Sequence, residues 1–173
     1  MVMSKCGKLL STIADAVTRR REMTDATSTA NGIFRDMVKA SELIASCGMN
    51  CGVCRAYLRK NNPCPGCRAP NAGKPVTRIR CAVKTCKNLA DGKHRFCHAC
   101  DEFPCSRLNH LDQRYRRRYR TSLVENLIRI RKAGIKRFLL DEKVRWTCAT
   151  CDGTICVHHS ACVGCGTKLA AGG

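Results

Sequence analysis

The sequence predicts a small metal-stabilised, cysteine-rich fold of α and irregular structure, with zinc-knuckle or zinc-ribbon modules joined by a basic helical segment. Three observations predict it. Fifteen of the sixteen cysteines fall into three consecutive clusters of five, each with at least one Cys-x-x-Cys step. Aromatic residues make up only 5% of the 173 residues, and cysteine-rich units of about 20 to 30 residues bury too little surface to offset chain entropy without disulfides or metals. The stretch 107–145 has no cysteine and carries thirteen basic residues against four acidic ones.

Taken in order, residues 1–32 read as a basic N-terminal extension, partly flexible. It has a short helix over 4–21, a polar small-residue linker over 22–32, and Cys6 as a free thiol. Residues 33–105 read as a cysteine-rich metal-binding domain. It opens with a helix over 33–46, where Ile33, Met37, Leu43 and Ile44 share a face and Gly48 is the stop. Prolines and glycines over 63–75 then make loops and turns dominant. Residues 106–145 read as the basic helical segment. Leu108, Leu111, Tyr115 and Tyr119 form one stripe, with arginines around the rest. A second helix starts at Ser122-x-x-Glu125, a capping-box spacing, and ends at Gly134; a third runs over 135–144. Residues 146–173 read as a zinc-ribbon-like module with a short tail.

No apolar run of signal-peptide length opens the chain, and no stretch approaches the roughly 18 apolar residues that span a bilayer. The expectation is a cytoplasmic protein. Thiols stay reduced there, and Cys-x-x-Cys reads as a metal site rather than half of a disulfide framework. The candidate ligands are all fifteen clustered cysteines. The first cluster is Cys47, Cys51, Cys54, Cys64 and Cys67; the second is Cys81, Cys86, Cys97, Cys100 and Cys105; the third is Cys148, Cys151, Cys156, Cys162 and Cys165. The third is the most readable. Two Cys-x-x-Cys knuckles lie ten residues apart, each closely followed by a glycine, Gly153 or Gly166. Such a glycine supplies a positive φ while the knuckle's N–H groups face the thiolates. Cys156, His158 and His159 lie between the knuckles as spare or substitute ligands. Two to three zinc ions are expected, with a [4Fe–4S] cluster in place of one or more as the alternative. The spacing does not say which cysteines share a metal.

The framework Cys47-Gly-Met-Asn-Cys51-Gly-Val-Cys54-Arg-Ala-Tyr57, Cys64-Pro-Gly-Cys67, Cys81, Cys86, Phe96-Cys97-His98-Ala99-Cys100-Asp-Glu-Phe103-Pro104-Cys105 resembles an uncharacterised cysteine-rich family of anaerobic bacteria and archaea. That family is known only as a domain of unknown function. The resemblance covers about residues 45–140, including Leu111-Asp112-x-Arg114-Tyr115. It implies an anaerobic microbial setting and metal binding but no activity. The Cys148–Cys165 module reads as an appendage to it.

The formal charge is +19, with +2 in residues 1–46, +8 in 47–106, +9 in 107–145 and zero in 146–173. Three four-thiolate zinc sites would still leave about +13. An anionic partner follows, either nucleic acid or an acidic protein complex. The candidate contact residues are Arg114, Arg116, Arg117, Arg118, Arg120, Arg129, Arg131 and Lys132, with Tyr115 and Tyr119 as candidate stacking rings. No phosphate-binding glycine loop, nucleophile–base set or His-Glu-x-x-His motif is present. The reading therefore leans away from an enzyme, with no small-molecule substrate evident. The competing function is an iron–sulfur protein for electron transfer or redox and oxygen sensing.

Overall fold

The computed structural model describes residues 35–90 and 92–169. The chain divides into two compact units after Val38, and the second, Lys39–Gly173, carries every clustered cysteine. The expected extension over 1–32, Cys6 included, lies outside the described residues.

Helical structure persists over 39–42 and ends at Leu43, earlier than expected. The reason is a tight loop that takes the backbone groups a longer helix would have used. Ala45 N–H donates to Met49 O (2.8 Å), Cys51 N–H donates to Leu43 O (2.7 Å), and Ile44 bridges Asn50. Gly48 lies in this loop with φ +83°, where a Cβ would stand 2.6 Å from the Leu123 carbonyl oxygen and 2.9 Å from Leu127 Cγ. Gly48 is therefore a point of close approach to a later helix rather than a helix stop.

One-turn elements punctuate the cysteine-rich stretch. They are a 3-10 turn at Cys51–Val53, α1 (Arg55–Leu58), α2 (Val76–Ile79), α3 (Lys87–Ala90) and a 3-10 turn at Cys97–Ala99. Two longer helices follow, α4 (Ser106–Tyr119) and α5 (Leu123–Trp146). Gly134 breaks α5 with φ 78° and ψ 163°, where the sequence places the boundary between two helices.

The corner between α4 and α5 is held by a buried carboxylate. Asp112 Oδ1 accepts from Ser122 Oγ (2.9 Å), Leu123 N–H (2.6 Å) and Val124 N–H (3.0 Å). It satisfies donors at the start of α5 that have no partner within the helix and places negative charge at the positive end. Ser122 Oγ in turn accepts from Glu125 N–H at 3.1 Å, so the expected cap is present.

A single apolar core draws on residues from Ile44 to Cys162. Ile44, Leu108, Leu123, Leu127, Phe138 and Val157 are its most completely buried members. Glu142 is also buried, and its Oε2 accepts from Trp146 Nε1 (2.9 Å) and Asn50 Nδ2 (3.2 Å). This ties the far half of α5 back to the Cys47–Cys51 loop. The chain ends in β1 (Ile155–Cys156) and β2 (Ala161–Cys162), antiparallel with Ile155 opposite Cys162. Among the described residues, no helix is long and apolar enough to cross a membrane.

Candidate metal centre

The third cluster makes the tightest site. Asp152 N–H donates to Cys148 O (2.9 Å) and Gly166 N–H to Cys162 O (3.1 Å), so each Cys-x-x-Cys folds into a compact turn. β1 and β2 bring the two turns face to face. The Sγ atoms of Cys148, Cys151, Cys162 and Cys165 all lie within 4.8 Å of one another. Cys148 and Cys165 stand 3.7 Å apart, and Cys151 and Cys162 3.6 Å. Four thiolates at about 2.3 Å from one ion form a tetrahedron with edges of about 3.8 Å. The observed spacing fits a single ion of that kind.

The local roles of the glycines differ from the expectation at one of the two turns. Gly166 takes φ +76°. At the first turn Asp152 takes the left-handed conformation, with φ 55°. Gly153 serves space instead, because a Cβ there would come 3.0 Å from Cys162 Sγ and 3.2 Å from Cys151 Sγ. Hydrogen bonds from Thr167 hold the Cys165 thiol down to about 6, and the Thr150 N–H lowers Cys148. Cys151, hydrogen-bonded to the sulfurs of Cys165 and Cys162, is pushed up to about 12, so the four thiols share their protons as one cluster. Cys156 is buried on β1 and stands outside the four-sulfur set.

His158 is not a ligand in that set either. Its Nδ1 accepts from Arg55 N–H at the start of α1 (3.3 Å). Its ring packs edge-on against Tyr115 (5.9 Å) and Tyr119 (4.5 Å). Burial first, then the charges of Arg78 and Arg55, hold its pKa down to about 4. Next to it, Val157 N–H donates to Val53 O at 2.9 Å. The third cluster is thus fastened directly to the first. The tyrosines are engaged with His158 and with each other, at 5.2 Å between ring centres.

The first cluster is more deeply set. Cys47, Cys51 and Cys64 are buried, and Cys54 and Cys67 half-buried. Cys67 N–H donates to Cys51 Sγ at 3.3 Å. The neighbouring Cys51 thiol, with Lys74, Arg78 and Lys84 around it, brings Cys67 down to about 6. Burial pushes Cys47 and Cys54 up. Lys74 is itself buried. Its ammonium donates to the carbonyl oxygens of Cys67 (2.9 Å) and Ala69, a role that nothing in the cysteine spacing signals.

In the second cluster, Cys86, Cys97, Cys100 and Cys105 line one small cavity with Leu89, Phe103 and Leu108. Asn88 Nδ2 donates to Cys100 Sγ at 3.2 Å. Burial first, then the neighbouring thiols, push Cys97 up to about 12. Cys81 is half-buried nearby and does not line this cavity.

The basic residues fall into two groups. Arg114, Arg117 and Arg118 are exposed on α4 and, with His110, line a surface hollow. Arg116 is exposed, with Nη1 3.9 Å from Asp112 Oδ2. The others are partly engaged within the fold. Arg129 bonds Asp141 (3.1 Å), approaches Glu142 (3.6 Å) and lies over Phe138. Arg131 lies over Phe103, and the Arg120 carbonyl accepts from Arg145 (3.5 Å). Lys132 is exposed.

A family model described as a protein of unknown function, DUF3795, matches residues 43–110. The match spans the first two cysteine clusters and the first turn of α4, and stops before the third cluster. No curated protein and no solved structure matches the chain.

Proposed function

We propose that this chain is a zinc-stabilised docking protein that holds an anionic partner, nucleic acid in particular, on the exposed arginines of α4. Zinc at Cys148, Cys151, Cys162 and Cys165 is supported by the tetrahedral sulfur spacing, as in a zinc ribbon. A [4Fe–4S] cluster places four irons between its thiolates and would spread them farther than the 4.8 Å seen here. All four positions are taken by sulfur, which suits a structural rather than a catalytic ion.

One observation carries the docking reading. Arg114, Arg117 and Arg118 line an exposed hollow with His110, and no carboxylate among the described residues pairs with the three arginines. The tyrosines face His158 instead of solvent bases, so contact would be made to phosphates with little sequence preference.

Fluorescence anisotropy with labelled RNA and DNA oligonucleotides tests this. Changing Arg114, Arg117 and Arg118 together to Gln is expected to lower affinity at least tenfold, with zinc content unchanged. The slope of log affinity against log salt should shrink by about 2, because each lost phosphate contact removes about 0.7 to 0.9. Wild-type-like binding by the triple variant would refute the assignment. Displacement of the chain from its partner by acidic protein, with no oligonucleotide binding, would transfer the face to a protein complex.

A further inference from the structure

We propose that Cys86, Cys97, Cys100 and Cys105 hold a second single metal ion, divalent and thiophilic like zinc, in the cavity that they line. This assignment stands on observations separate from those at Cys148–Cys165.

The four residues come from three elements that the core brings together. Cys86 immediately precedes α3, Cys97 and Cys100 bracket a 3-10 turn, and Cys105 immediately precedes α4. The turn is built like a metal knuckle, with Cys100 N–H donating to Cys97 O (3.1 Å) and Phe103 N–H to Cys100 O (3.0 Å). A cysteine can also serve as a small apolar filler. Fillers, however, close a core, whereas these four line a partly open cavity of about 30 Å³ together with Asn88, Leu89, Glu102, Phe103 and Leu108.

Two features of the surroundings suit a metal site. Asn88 Nδ2 points a hydrogen bond at Cys100 Sγ from 3.2 Å, the kind of outer-shell donor that steadies a metal thiolate. Cys105 stands at the N-cap of the fourteen-residue α4, whose first turn carries no acidic side chain. The positive end of that helix suits a negatively charged metal site. Lys87 and Arg107 line the open cleft that Cys86 and Cys105 also border. Glu102 lines the same cleft, so the two cations leave one net positive charge against a four-thiolate site, and the cleft gives the ion a way in.

A cavity of about 30 Å³ has room for a single ion. Among the described residues, only the Cys148–Cys165 set draws its sulfurs within 4.8 Å. Binding at the second site therefore requires cysteine side chains to rotate toward the cavity.

Metal-loaded, full-length, wild-type protein would be treated with N-ethylmaleimide, digested and read by mass spectrometry, before and after graded removal of zinc by a chelator. The expected result is protection of all four cysteines together and their simultaneous release as one zinc per chain leaves. This release should be separable from that of the Cys148–Cys165 peptides. Alkylation of half-buried Cys86, Cys100 or Cys105 in the loaded protein would overturn the proposal, as would iron with acid-labile sulfide in the same protected set. A Cys97→Ser, Cys100→Ser double variant gives an independent measure. It should lose one zinc equivalent and keep the one at Cys148–Cys165; unchanged zinc content in a folded variant would also overturn the proposal.

Discussion

At the scale of single residues, His158 shows how a side chain placed between two metal ligands came to serve the fold. Its unprotonated Nδ1 accepts from the first N–H of α1, and its ring packs edge-on against Tyr115 and Tyr119. Protonating that nitrogen removes the acceptor and puts a cation beside Arg55 and Arg78. In the unfolded chain the imidazole binds a proton below about 6.5; in the folded chain it does so only below about 4. Between those values the unfolded state holds more protons, so stability falls as pH falls through that window and levels off beneath it. The loss for a half-buried ring screened by solvent is on the order of 1 kcal/mol. Denaturant unfolding of wild type and His158→Gln across pH 7 to 4 should show the difference between them shrinking toward acid pH. Parallel curves would mean that the ring titrates alike in both states. The sequence offered His158 only as a spare ligand, because spacing along the chain cannot show which aromatic rings a loop will meet.

At the scale of elements, the two long helices were the most legible part of the chain. The stripe through Leu108, Leu111, Tyr115 and Tyr119 is the face that α4 turns to the core, and Ser122 and Gly134 mark the start and the break of α5. Local signals of this kind survive because caps and periodicity act within a few residues. The Asp112 corner was not legible, since its partners are ten to twelve positions away and the side chain reads as one more exposed helix charge. Removing it leaves the Leu123 and Val124 N–H groups without their acceptor in a buried site. Asp112→Ala is therefore expected to cost about 2 to 3 kcal/mol. Asp112→Asn, which keeps an oxygen acceptor but loses the charge at the helix start, should cost less. Urea unfolding of the two variants measures this. Equal stability of Asp112→Ala and wild type would show that water replaces the carboxylate at no cost.

At the scale of the whole molecule, the third cysteine cluster was legible as a candidate metal site, but its connection to the rest of the chain was not. The knuckle spacing of the third cluster leads to four sulfurs within 4.8 Å. Read as an appendage, that cluster would unfold alone. Instead Cys148, Ile155, Val157 and Cys162 share one core with Ile44, Leu108 and Leu123, and Val157 N–H bonds Val53 O. Cys151 and Cys165 are exposed, so changing both to serine removes two sulfurs of the proposed zinc site while leaving the apolar packing in place. If the ion holds β1 and β2 against the core, its loss should propagate to the helices. Helical circular dichroism reports mainly α4 and α5, which lie outside this cluster, so their melting is a remote readout. A loss of several kcal/mol, modest beside the roughly 10 kcal/mol or more that structural zinc gives isolated fingers, should lower that melting midpoint by at least about 10 °C. A helical transition that stayed at the wild-type temperature, with zinc gone, would show instead that the third cluster folds on its own account and that the shared core carries little energy between them.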